Sequence, residues 1–333
     1  MMKNIPEKMK AINLKKPGAA ENTVLQETAI PKTGRADVLI KVHAAGINMP
    51  DILQRRGNYP PPPGASSILG LEVAGKIVKI GKNVRGWRIG DKVCALVSGG
   101  GYAEYCSAPS GQCLPIPKGF SYAEAAGIPE TFFTVWSNIV DRGKIKRGQS
   151  ILVHGGSGGI GTCAIQVAKI LGCIVYVTAG NEKKCKFCKK IGADEAINYK
   201  KTDFEKVIRS ITKKNGVNMI LDSIGGNYVE KNIKVLSKNG HLVNIGWQRG
   251  SHVSVNMMPI MLKRLTITGS TLRVRSVAFK KRIAKALLKN IWPYFEKKTI
   301  RPIIFKTFSI KNAKNAHKLM ESSKHIGKIV LKL

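Results

Sequence analysis

The stretch HGGSGGIGTCAIQVAKILGC, His154 to Cys173, places five glycines among the eight residues His154–Gly161 and none in the next ten. It sits between an apolar run, Ile151–Val153, and a segment with the apolar spacing of a helix. Glycine weakens helix and strand alike, so such a cluster points to backbone shapes or close approaches that side chains forbid. The spacing Gly156-x-Gly158-x-x-Gly161, following a strand and opening a helix, is the dinucleotide fingerprint. On this reading Gly156 makes the tight turn, Gly158 admits a pyrophosphate to the backbone, and Gly161 lets helix and strand pack closely. Ser157, Gly159 and Ile160 complete a loop whose N–H groups and helix dipole face the phosphates.

The following strand, IVYVTAGNEKK, indicates which dinucleotide. A site for a free ribose 2′-hydroxyl places Asp or Glu at the strand end. Here the strand ends in Ala179, Gly180 and Asn181, with Lys183 and Lys184 close behind. A cationic end poor in carboxylate suits a 2′-phosphate, so the expected cofactor is NADPH, with Gly180, Asn181, Lys184 and Tyr199 on its phosphate side.

Outward from this unit the pattern falls into two parts. From Gln149 to Leu272, strands and helices alternate, as in a parallel sheet covered on both faces. From Met9 to about Pro117, short β-branched runs punctuated by Gly and Pro describe a mostly antiparallel β domain. Between them SYAEAAGIPETFFTVWSNIV has helical spacing. The prolines Pro60–Pro63 exclude a central strand there and make a rigid loop. The expected fold is α/β, with domain bounds at 1–130 completed by 273–333, and 131–272.

Composition excludes several classes. The 333 residues suffice for two domains. No apolar run approaches the ~20 residues needed to span a bilayer, so no membrane insertion is expected. The first residues, MMKNIPEKMKAINLKKPG, carry Lys without an apolar stretch, so no secretory leader is expected. Seven cysteines without a framework suit a reducing cytoplasm, the expected location. The net charge of +36 raises nucleic acid as a partner. Against it, the charge is mostly Lys, dispersed and without interleaved aromatics, whereas phosphate and base recognition favours the Arg fork. The pair Cys185-x-x-Cys188 lacks the second pair that a metal site needs.

Taken over nearly its full length, the chain resembles the zinc-independent NADPH:quinone oxidoreductases of the medium-chain dehydrogenase/reductase superfamily, the zeta-crystallin-like branch. The segments that carry the resemblance are AAGINMPDILQRRGNYPPPPGA, LGLEVAGKI, LVHGGSGGIGTCAIQVAK, TAGNEKK, GADEAINY, RLTITGSTLR and HIGKIVL. It implies a GroES-like, mostly β catalytic domain, a Rossmann domain with a doubly wound parallel sheet, and a cofactor in the cleft. The superfamily's alcohol dehydrogenases hold zinc through a Cys, a His-Glu pair and a later Cys or Asp. Here Asn48 stands at the first position and Leu71 replaces the His before Glu72, so no metal is expected. A quinone accepts hydride without a Lewis acid, because its product is a phenolate of pKa about 10.

The resemblance also implies roles. Asn48, Asp51 and Tyr59 line the acceptor end, with Tyr59 orienting the acceptor or donating a proton. On chemistry alone, Asp51 would instead cap a helix beginning at Ile52. Thr134 holds the carboxamide, Gly246 and Leu272 meet the nicotinamide end through their backbone, and Lys328 faces the cofactor. The strand LTITGST pairs with its twin in a homodimer. Two rival functions stand beside quinone reduction: an NADPH-dependent enone or 2-enoyl reductase, and an RNA-binding protein that retains NADPH.

Overall fold

A computed structural model describes residues 5–333 of the chain. It divides into two units, one running to Phe133 and resuming at Arg273–Leu333, the other Thr134–Leu272.

The second unit is built on a six-stranded parallel sheet. Across the sheet the strands run Glu195–Asn198, Ile174–Ala179, Ser150–His154, Val217–Asp222, Leu236–Asn244, Thr266–Gly269. In chain order this is 3-2-1-4-5-6, so the direction of winding reverses between Ser150–His154 and Val217–Asp222. Ligands of such sheets bind at the carboxyl ends of the strands flanking that switch. The central strands are apolar on both faces, with Ile151, Leu152, Val153, Ile220 and Leu221 fully buried. That is the pattern of a sheet covered on both sides.

The helices Gly159–Ile170, Glu182–Lys190 and Phe204–Ile211 follow the expected alternation. Sequence reading had given no element between Val217–Asp222 and the next strand, where the structure has the helix Tyr228–Val235. Its buried Tyr228, Val229 and Ile233 pack against Phe204 and Leu242.

The first unit is built on a seven-stranded sheet. Its long strand Asp37–Ile47 pairs antiparallel with Glu72–Ile80, Tyr105–Pro109 and the C-terminal strand Lys328–Lys332. Two registers matter for the site. Ile329 lies opposite Ile47, and Val73 lies opposite Ala45, so Lys328 and Glu72 both arrive beside Asn48. Gly46 is required there: a Cβ on it would overlap the Glu72 carboxylate and the Ala126 carbonyl.

The segment expected to be helical from Ser121 is broken. A short helix Tyr122–Ala125 ends before Pro129, and Pro129–Val135 begins anew, continuing as a π-helix over Trp136–Arg142. Proline at the first turn of a helix loses no hydrogen bond, which is why the restart falls there. The loop after Asn58, with its four prolines, is irregular.

Candidate functional site

In the second unit the glycine loop is a turn closed by backbone hydrogen bonds. The Gly156 N–H donates to the Thr178 carbonyl at 2.9 Å, and the Gly158 N–H to the Gly155 carbonyl at 3.0 Å. Three glycines serve three different purposes, and one differs from expectation. The left-handed residue of the turn is Gly155, at φ +73°, not Gly156. Gly156 is needed because a Cβ would come within 2.5 Å of Val177 on the neighbouring strand. Gly161 is needed because a Cβ would strike the backbone of Gly155 and Gly156, which holds helix and strand together.

Gly158 is another case. It caps Gly159–Ile170 with φ −78° and ψ 178°, a conformation open to any residue. A Cβ there would meet only the Gly155 carbonyl, at 3.5 Å. Nothing in the fold demands glycine at 158. Ser157 is buried and Gly159 and Ile160 are half-buried in the first turn, whose N–H groups have no partner further up the helix.

Beneath the loop a buried polar chain fixes the strand ends. His154 Nε2 lies 2.7 Å from Asn232 Oδ1, and His154 Nδ1 lies 3.1 Å from Thr178 Oγ1. Asn232 and Asn244 both donate to Asp222. Burial holds the His154 imidazole below its usual pKa, hence neutral, with Asp222 opposing that shift.

At the end of Ile174–Ala179, the Asn181 side chain is the N-cap of Glu182–Lys190, accepting from the Lys184 N–H at 2.9 Å. The Asn181 side-chain oxygen, expected on the phosphate side, is thus committed to the helix. The Tyr199 hydroxyl closes over Gly180, where a Cβ would approach it to 3.1 Å. A cation missed by sequence reading joins them. The Arg249 guanidinium lies 6.0 Å from the Tyr199 ring centroid and 5.0 Å from that of Tyr228. Its loop sits far along the chain from Gly180, and no motif marks it. Lys184 is half-buried, and its pKa is lowered by that burial and by Lys200. Thr134 lies in Pro129–Val135, Gly246 just after Leu236–Asn244, and Leu272 just after Thr266–Gly269.

In the first unit Asn48, Glu72 and Lys328 form one buried network. Lys328 Nζ donates to Asn48 Oδ1 at 2.6 Å and to the Ile47 carbonyl at 3.1 Å, and pairs with Glu72 Oε1 at 2.6 Å. Two of the ammonium's three protons are thus in hydrogen bonds, and its charge is paired with the Glu72 carboxylate. The Lys328 side chain is only 3% exposed, held by Asn48, Ile47 and Glu72. Asn48 Nδ2 donates to Glu72 Oε1 at 2.9 Å, and the Glu130 N–H to Glu72 Oε2 at 2.9 Å.

Asp51 is not the cap of a helix starting at Ile52. The helix is Met49–Arg55, Asn48 precedes it, and Asp51 reaches back to accept the Asn48 N–H at 2.8 Å. The Asp51 carboxylate also accepts from the Gly70 N–H and the Tyr102 hydroxyl. Burial pushes its pKa up to about 6 against those hydrogen bonds and the Lys328 charge. Asp51 has no exposed surface, and its bond to the Asn48 N–H braces that residue.

Tyr59 is half-buried and held from behind by Arg273. That guanidinium donates to the Tyr59 carbonyl at 3.3 Å, to Gln54 Oε1 at 2.7 Å and to the Ser98 carbonyl at 2.9 Å. It also lies 5.4 Å from the Tyr59 ring centroid. Burial and the Glu130 charge raise the phenol above its usual pKa, against Arg273. Sequence reading missed Arg273, Lys280 and Glu130, although Glu130 stands one helical turn before Thr134.

Among the described residues, no group of three or more His, Cys, Asp or Glu side chains converges to hold a metal ion. No helix among them is long and apolar enough to cross a membrane.

Residues 34–118 match the alcohol dehydrogenase GroES-like domain, and residues 159–289 match the zinc-binding dehydrogenase family. The quinone oxidoreductase of Mus musculus is 31% identical over 98% of both chains. The chain belongs to the medium-chain dehydrogenase/reductase superfamily. Two solved superfamily structures show how far the likeness extends. An NAD-dependent alcohol dehydrogenase superposes with a TM-score of 0.86 at 29% identity, covering 98% of this chain and 100% of that one. A mycobacterial protein, Rv1454c, complexed with NADPH, gives 0.86 at 26% identity with the same coverage. The chain is therefore an oxidoreductase with a GroES-like domain and a Rossmann domain. Its solved neighbours divide over the cofactor, so its own side chains must decide that question.

Proposed function

We propose that the chain is an NADPH-dependent, metal-free oxidoreductase that passes hydride from the nicotinamide to a quinone. The observation that carries this reading is the buried Lys328 ammonium, already paired with Glu72. It already neutralises Glu72 beside Asn48, at the positions where the resemblance puts the zinc ligands of the superfamily's alcohol dehydrogenases. A second cation there would have to displace a tethered one from a buried pair. The donor set does not fit zinc, and the acceptor is then one that needs no Lewis acid.

Residues 1–130 with 273–333 serve as the catalytic domain, and 131–272 as the cofactor domain. The second domain binds the pyrophosphate over Gly156–Gly161 and the 2′-phosphate by Lys184 and Arg249 beside Gly180 and Tyr199. The backbone at Gly246 and Leu272, and the Thr134 side chain, hold the nicotinamide. Asn48, braced by Asp51, and Tyr59, braced by Arg273, orient the acceptor. Bound NADPH supplies the hydride, and what the protein adds is alignment of donor and acceptor. The mouse quinone oxidoreductase supports the choice of acceptor.

The protein works as a homodimer. Thr266–Gly269 is the outermost strand of its sheet. Ile267 on it and Met258, Met261 and Leu262 on the preceding helix are exposed. An apolar open edge of this kind is an aggregation hazard unless covered. A monomer in sedimentation equilibrium at micromolar protein would refute the pairing.

Steady-state kinetics with NADPH and NADH against a panel of quinones, with zinc measured in the same sample, tests the whole reading. The expected result is quinone turnover preferring NADPH at substoichiometric zinc. Turnover that depends on one zinc per chain would refute it.

A further inference from the structure

We propose that the cleft between the helices Met49–Arg55 and Ala313–Glu321 and the turn Ala20–Asn22 binds a small dicarboxylate, held by Arg55, Arg56 and Lys318. The cleft belongs wholly to the first unit and has a volume of about 460 Å³. That is within the range of small-molecule sites. It lies at the far end of the helix whose start is capped by Asn48.

The side chains on its wall are arranged for an oxyanion. Arg55 Nη2 and Arg56 Nη2 each lie 2.5 Å from the same oxygen, Glu321 Oε1. That oxygen marks a position where two guanidinium groups meet one carboxylate. The Arg55 side chain is only 1% exposed, and its Nε and Nη1 have no hydrogen-bond partner among the described residues. A buried guanidinium with N–H groups left over is costly until something satisfies them. His317 is fully buried, with neither ring nitrogen bonded among the described residues. Burial and the Arg55 charge hold its imidazole neutral, so it gives Arg55 no counter-charge. Glu321 alone does that, from the last residue of its helix.

Charge sets the class of ligand. Arg55, Arg56 and Lys318 face Glu21 and Glu321 across the cleft. Lys318 pairs with Glu21, but both side chains are more than half exposed. A pair of that kind is worth little and yields readily. Glu321 is partly exposed, so its carboxylate can turn out to water. The three cations then face Glu21 alone, and a dianion balances the difference. One carboxylate of the ligand takes the place of Glu321 Oε1 between the two guanidinium groups, and the other meets Lys318. Glu321 is thereby an internal competitor, a tethered carboxylate that fills the fork until a ligand replaces it.

Isothermal titration of the full-length protein with succinate, in about 150 mM NaCl to screen the general positive charge, tests the site. One site per chain with a Kd below about 1 mM is expected, with acetate at least about tenfold weaker. Arg56→Ala should raise the succinate Kd at least about tenfold. Lys297→Ala, exposed and outside the cleft, should leave it unchanged. Glu321→Gln removes the competitor and should lower Kd about threefold or more. Arg56 is half exposed, so its replacement spares the fold, and thermal unfolding without succinate checks each variant. No saturable binding by about 20 mM succinate overturns the proposal. Equal weakening by Arg56→Ala and Lys297→Ala, the mark of anions drawn to a basic surface, overturns it too. So does a folded Glu321→Gln variant that binds more weakly than wild type. Should Glu321→Gln fail to fold, the contrast between Arg56→Ala and Lys297→Ala decides.

Discussion

The glycine loop and the network around Lys328 solve opposite problems. On the proposed reading the loop meets a ligand with backbone, so its requirements fall on consecutive residues and on the absence of side chains. The network gathers side chains from Asn48, Glu72, Glu130 and Lys328, brought together by sheet register and a helix restart. A backbone site is written locally in the sequence, and a side-chain site is written in the pairing of distant strands. Disturbing each in turn sharpens that contrast.

The largest effect is expected at Lys328. Lys328→Met leaves Glu72 buried and unpaired, which costs about 3–5 kcal/mol. Urea unfolding measures it, and adding Glu72→Gln should recover part of the loss. A loss below 1 kcal/mol would mean that the buried pair is not the brace described. Gly161→Ala comes next, because its Cβ strikes backbone that cannot yield; about 1–3 kcal/mol of stability should go, and NADPH affinity with it.

Smaller changes separate the cofactors. Lys184→Ala and Arg249→Ala should each weaken NADPH by about tenfold, or roughly 1.4 kcal/mol. NADH affinity should hardly move. Equal loss of both cofactors would remove the 2′-phosphate from the argument.

The smallest effect is in the pH dependence of stability. Asp51 and Glu130 have folded pKa values raised to about 6 and about 8. The folded chain keeps protons that the unfolded chain releases, so these groups erode stability as pH rises through those windows. Glu130→Gln should therefore raise Tm relative to wild type at pH 9 and leave it nearly unchanged at pH 4. His317 acts in the other direction. Burial and Arg55 lower its pKa to about 3, so its contribution is lost as pH falls below about 6.5.

The alternating elements and the loop were legible because the periodicity of apolar residues and the placement of glycine are local. Even there the turn residue was misplaced by one, since φ at Gly155 depends on how the strand leaves the sheet. The alternative to an acceptor-side role for Asp51, the cap of a helix from Ile52, fails because the helix begins three residues earlier, at Met49. The motif at Lys328 reads as a cofactor contact, and nothing local in it signals the bonds to Asn48 and Ile47 or the pair with Glu72. Glu130, Arg273 and Arg249 carry no motif, and only the folded arrangement gives them neighbours.

The central claim is that a dinucleotide lies against the backbone at Gly158. That glycine has ordinary dihedral angles and open space, so the fold alone tolerates a methyl group there. Titration of Gly158→Ala with NADPH, alongside its ligand-free thermal unfolding, is the direct test. The account predicts stability within about 1 kcal/mol of wild type and a Kd for NADPH raised at least about tenfold. An unchanged Kd in a folded variant would contradict it.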